Sequence, residues 1–153
     1  MDENERKLGV LTKIAKILND NNIVWAVGGS LLLLYFRNKT DMFHDIDIMV
    51  IEDDIKKLKS LLEPMGIFTS PHPNKQYKTR YFLEFTIDNV DVDIMAGFVI
   101  VNEGKEFDCS LNPESIVEHL NINGADIPLQ SIDDWRRYYA LMGRNAKVEM
   151  IDR

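Results

Sequence analysis

Cys109 is the only cysteine in the 153 residues, so neither a disulfide framework nor a cysteine-based zinc site can be built. Histidine is almost as scarce: His44, His72 and His119 share no metal-ligand spacing. No apolar run approaches the about 20 residues that cross a bilayer. The acidic segment Met1-Asp2-Glu3-Asn4-Glu5 has neither the basic nor the apolar part of a secretory leader, and a cytoplasmic protein is the expectation. Basic residues are outnumbered, giving a formal charge of −7, which argues against general binding to nucleic acid. No Gly-x-x-x-x-Gly-Lys-Ser/Thr segment occurs, which excludes a P-loop. Repeats, low-complexity tracts and linkers are also missing.

What is present is enough apolar material, 45% of residues, for a real core. The length fits one domain, residues 1–153, in which 130–153 form a C-terminal helical extension. Leu8, Leu11, Ile14, Ala15 and Leu18 recur at helical spacing and end at Asn19-Asp20-Asn21-Asn22. Ile23 to Val27 read as a buried strand. Ser30 is placed to cap a helix through Phe36 that is apolar nearly all round. Residues 38–43 read as a polar loop, Asp45 to Ile51 as a second strand, and Asp53 or Asp54 to Leu62 as a helix stopped by Pro64 and Gly66. Pro71 to Lys75 read as loop. Arg80–Ile87 and Val90–Met95 form a hairpin around Asp88-Asn89, and Ile116–Ile122 joins Ala125–Leu129 through Asn123-Gly124, a type I′ turn signal. A last pair of helices starts at Ser131 and Asn145.

The chemistry concentrates in two places. Gly28-Gly29-Ser30 closes an apolar strand and offers backbone amides to an anion. His44-Asp45-Ile46-Asp47-Ile48 then puts Asp45 and Asp47 on one strand face, their origins about 7 Å apart, with Ile46, Ile48 and Val50 turned to the core. Val90-Asp91-Val92-Asp93-Ile94 repeats the pattern. Carboxylates gathered in this way repel one another and raise each other's pKa. A divalent cation with oxygen preference reverses that cost. Cations for the phosphates are Lys75, Lys78 and Arg80, or Arg144 and Lys147 in the tail. His44 reads as a supporting or structural residue, Cys109 as an inert thiol, and Trp135, Tyr138 and Tyr139 as helix packing.

The order of these motifs resembles the nucleotidyltransferase superfamily with the minimal DNA-polymerase-β-like fold. Among its branches it looks most like the small bacterial enzymes that adenylylate aminoglycosides or lincosamides. Trp25-Ala26-Val27-Gly28-Gly29-Ser30 matches the family's glycine turn, His44-Asp45-Ile46-Asp47-Ile48 its Asp-x-Asp strand, and Asp93 its third acid, with Asp91 as rival. Ile127-Pro128-Leu129 and the helix from Asp133 resemble the strand-then-helix end of these enzymes.

The resemblance implies an α/β (α+β) chain: a mixed sheet with helices packed on one face, open on the other where the carboxylates cluster, and a short C-terminal helical extension. It implies Gly28, Gly29 and Ser30, helped by Lys78 and Arg80, on the triphosphate. It also implies Asp45, Asp47 and Asp93 as ligands of two Mg²⁺ ions, Asp93 serving alternatively as the base. The expected reaction moves AMP from ATP to a hydroxyl of a small acceptor. The other readings are transfer to a protein or RNA, as in toxin–antitoxin members, and a silent nucleotide-binding module. Enzymes this small can call on a second subunit for acceptor binding, so a homodimer stays open.

Overall fold

The computed structural model describes residues 2–37, 43, 45–69, 76–116 and 118–153. The expectations for residues 38–42, His44, His72 and Lys75 lie outside them. Helix α1 (Glu3–Asp20) starts where the Asp2 carboxylate accepts from the Glu5 amide, with Glu3 and Glu5 in the first turn. It buries Leu11, Ile14, Ala15 and Leu18 completely, the stripe that the spacing predicts.

Strand β1 (Trp25–Gly28) is buried throughout and pairs antiparallel with β2 (Ile46–Val50). β5 (Val90–Ala96) lies parallel to β2 on its other side. β4 (Tyr81–Ile87) returns antiparallel to β5 through Asp88 and Asn89, both left-handed, as a two-residue hairpin turn requires. β3 (Ile67–Thr69) closes that edge. On the far side β9 (Ala125–Leu129) runs parallel to β1 and pairs with β8 (Glu118–Ile122). The mixed sheet therefore has the order β3-β4-β5-β2-β1-β9-β8. Trp25 donates its indole N–H to Asn19 of α1 at 2.9 Å. This puts α1 on the face that holds Val27, Ile46, Ile48, Val92 and Ile94, and α1 packs there on β9 and on α3 (Ile55–Leu62). No described helix is long and apolar enough to cross a membrane.

Three features depart from the sequence reading. The helix after the glycines has only one α-turn, α2 (Ser30–Leu32), and then widens to a π-turn over Leu33–Arg37. Leu31, Leu32 and Leu33 are buried while Tyr35 emerges, and α5 (Asn145–Asp152) packs on this segment. A second, two-stranded sheet, β6 (Val99–Asn102) with β7 (Lys105–Asp108), turns on left-handed Glu103 and Gly104. β7 is exposed along its length, so it has no buried face to impose an alternating pattern. Finally, the carboxylate-bearing face is partly covered. Ala26 and Met49 point to it and are fully buried, and helix α4 (Ile132–Leu141) lays Trp135 over Gly28.

A Cβ on Gly28 would overlap that indole. Gly28→Ala is expected to lower unfolding stability by about 1–3 kcal/mol, the usual range for overpacking. The loss should shrink when Trp135 is also changed to Leu, because contacting residues couple. Additive losses in denaturant titrations would show that the two do not press on each other.

Candidate active site

Asp47 and Asp93 face each other across the β2–β5 pair, in register on parallel strands. Adjacent strands lie about 4.8 Å apart, so both carboxylates rise from neighbouring points on one face. The row continues to Glu84, the register partner of Asp93 on β4, and on the other side to Gly28, the partner of Asp47 on β1. Asp45 stands exposed just before β2. Asp91 is also exposed and accepts from Thr86 Oγ1 at 3.2 Å. Asp45, Glu84, Asp91 and Asp93, with Thr69, Phe85 and Thr86, line a cleft of about 210 Å³.

Burial pushes the Asp47 carboxyl well above its usual range, Asp93 and Asp45 push it further, and Arg144 and Lys147 pull it back. Asp93 is raised to about 7 by burial and then by Asp45, Glu84 and Asp91. Among the described residues no three His, Cys, Asp or Glu side chains converge to enclose a metal ion by themselves. The donor set still fits Mg²⁺, which commonly binds one or two carboxylates and completes its shell with water and substrate phosphate. Two oxygen-bearing groups that are costly to ionise together favour a cation arriving with its nucleotide.

The glycine turn abuts this pair. Gly29 takes φ +68°, and a Cβ there would fall on Asp47 Oδ2. Because this left-handed residue occupies the cap position, Ser30 does not cap the helix as expected but enters it as its first, buried residue. Gly28 meets Trp135, so its bareness answers a packing need. Lys78 is held by Glu106 at 3.3 Å and Arg80 by Glu52 at 2.9 Å. His119 sits on β8 against Asp126, at the opposite edge of the sheet from the β3–β4–β5 cleft. Cys109 is buried, its thiol pushed up to about 11, as an inert role expects. Trp135, Tyr138 and Tyr139 are all buried, Trp135 stacking on Phe98 with centroids 6.1 Å apart, which is packing.

Sequence reasoning missed Glu84 and the tyrosines near Asp47. Glu84 was findable: a two-residue turn at Asp88-Asn89 pairs Ile87 with Val90 and hence Glu84 with Asp93. Tyr77 and Tyr139 are both pushed up by burial, with Asp47 adding to the shift. Nothing local in the sequence marks them.

The model of the aminoglycoside-2''-adenylyltransferase family matches residues 10–153. The chain belongs to this family. Membership makes it a nucleotidyltransferase, an enzyme class that takes a nucleoside triphosphate as co-substrate. Among solved structures, a Thermotoga maritima protein assigned to the nucleotidyltransferases is 25% identical, with a TM-score of 0.72 over 99% of this chain and 93% of that one. ANT(2'')-Ia, solved with adenylyl-2''-tobramycin, shares the fold at 17% identity and a TM-score of 0.60, covering 88% of this chain and 77% of its own. The lincosamide antibiotic adenylyltransferase LnuA, solved with lincomycin, does so at 18% and 0.56, covering 86% and 82%. A comparison with curated proteins gave no match.

The raised carboxyls have a consequence for the metal-free family member. Asp93, at about 7 in the folded chain against an ordinary 3.8, holds its proton more tightly when folded than when unfolded, and Asp47 shifts the same way. Between these values the native state binds more protons at Asp93, so the contribution of Asp93 to stability is greatest below pH about 4 and declines as pH rises to about 7. The difference in unfolding free energy between wild type and Asp93→Asn, measured in chelator across that window, should therefore move against wild type as pH rises. Parallel pH profiles would show that Asp93 ionises without cost.

Proposed function

We propose that this enzyme transfers AMP from ATP to a hydroxyl of a small, cationic antibiotic of the aminoglycoside or lincosamide kind. In this reading residues 1–153 act as a single catalytic domain with 130–153 as its helical extension. Asp45, Asp47 and Asp93 hold two Mg²⁺ ions, and Gly28, Gly29 and Ser30 lie along the triphosphate. The observation that carries the reading is the register pairing of Asp47 with Asp93, with the Gly29 backbone pressed against Asp47.

The acceptor oxygen attacks the α-phosphorus, a new P–O bond forms, the bond to the β-phosphate oxygen breaks, and pyrophosphate leaves. The acceptor proton passes to Asp93 if that residue is the base, or to water. Mg²⁺, which Asp45, Asp47 and Asp93 would hold, would supply charge neutralisation for the transfer. The chain itself orients the partners, since phosphoryl chemistry asks mainly for positioning and charge balance. Tobramycin and lincomycin in the neighbouring structures support a small-molecule acceptor. The cleft of Asp45, Glu84, Asp91 and Asp93 supports a cationic one, because clustered carboxylates concentrate positive charge.

Incubation with each labelled triphosphate, Mg²⁺ and a panel of acceptors tests this. Label should pass from ATP to cationic antibiotics, less well as salt rises. Asp93→Asn should lose about a hundred-fold or more in rate, the scale of a lost base or ligand, whereas Asp91→Asn, solvated and hydrogen-bonded to Thr86, should lose only about a few-fold. Labelling of RNA or protein instead, with antibiotics untouched, would overturn the acceptor assignment. The reverse order of the two variants would move the third carboxylate to Asp91.

A further inference from the structure

Arg144 and Lys147 sit at the corner between α4 and α5, and the row of residues across the sheet leads to them. Gly28, the register partner of Asp47, lies under Trp135. One turn further along α4, Tyr139 meets Trp135 with ring centroids 5.4 Å apart. The Arg144 guanidinium rests over the Tyr139 ring at 5.5 Å. The Lys147 amide bonds to the Arg144 carbonyl at 3.1 Å, so the two basic residues stand one turn apart. The corner is tethered, too. Gln76 donates to Met142 O at 2.7 Å and Asn102 to Leu141 O at 2.9 Å. Arg136 of α4 grips both carboxylate oxygens of Asp152 on α5 at 2.7 Å.

We infer that Arg144 and Lys147 clamp the β- and γ-phosphates of the incoming triphosphate and then the pyrophosphate that leaves, an assignment that rests on the nucleotidyl-transfer reading above. Three observations lead there. The first is position: the acidic cleft is lined from β4 and β5, and α4 lays Trp135, on which Tyr139 packs, over Gly28 on the β1 side of Asp47. Attack in line with the leaving group requires acceptor and pyrophosphate on opposite sides of the α-phosphorus, and this arrangement separates an attractor for cations from an attractor for anions.

The second is availability. Lys78 and Arg80, the cations nearer the cleft in sequence, are engaged by Glu106 and Glu52. No described carboxylate forms an ion pair of this kind with Arg144 or Lys147. The third is crowding. Lys147 and Arg144 stand one turn apart on the same corner, like charges that repel each other. Two cations crowded in this way are relieved by an anion. An Arg fork with a Lys point charge also suits a phosphate chain that changes its charge during the reaction.

Calorimetric titration in Mg²⁺, without acceptor, tests the clamp. The probes are the best bound of ATP, GTP, CTP and UTP, inorganic pyrophosphate, and the matching monophosphate. Arg144→Gln with Lys147→Gln should weaken triphosphate and pyrophosphate by about ten-fold or more and leave the monophosphate within about two-fold. A control with the same charge change at exposed positions, Lys56→Gln with Lys105→Gln, should match wild type. Arg144→Lys in the Lys147 wild-type background should recover most of the pyrophosphate affinity, and thermal melts confirm that each variant is folded. Wild-type affinity for triphosphate and pyrophosphate in the double variant overturns the clamp, as does an equal loss for the monophosphate. If wild type itself binds none of the four triphosphates, the nucleotidyl-transfer reading fails and the clamp with it.

Discussion

Two carboxylates on neighbouring strands repel each other, and the protein holds them together anyway. Asp47 and Asp93 stay in register because β2 and β5 are locked from their other face, where Ile46, Ile48, Val92 and Ile94 are buried against the helices. Slippage of either strand by one residue would turn those apolar side chains outward and the acids inward. The hydrophobic face thus enforces a polar arrangement that would not form on its own. The rest of the site is arranged around that enforced pair: Gly29 yields its side chain to Asp47, and Glu84 extends the row.

The C-terminal helices complete the site from the other direction. Gly28 lets Trp135 approach the sheet beside Asp47, and Tyr139 packs on Trp135 one turn further along α4. Packing and charge are coupled here through one small residue. The family match, which covers residues 10–153, includes this extension.

Much of this was legible in the sequence, for identifiable reasons. The alternation in Asp45–Val50 and Val90–Ile94 reports directly which side chains share a face, and the Asp88-Asn89 and Asn123-Gly124 turns fix hairpin register. The α1 stripe and the start of α4 at Ser131, whose hydroxyl accepts from the Asp133 and Asp134 amides, were equally plain. What failed to show is what depends on tertiary context. The π-turn at Leu33–Arg37 looks like any apolar helix. β3 is three residues long and largely exposed, too short to display a period. The ion pairs that engage Lys78 and Arg80 span 28 residues each, a separation at which local pattern says nothing.

The central claim is that Asp47, beside Asp93 and under the glycine turn, makes nucleotidyl transfer possible. The most direct test is single-turnover transfer from α-phosphate-labelled ATP to a cationic acceptor, comparing wild type with Asp47→Asn at matched folded fraction. The substitution keeps the side-chain volume and removes the charge. A fall in rate of about a hundred-fold or more, about 3 kcal/mol of barrier, is the predicted result. Transfer at the wild-type rate by the folded variant would contradict the account.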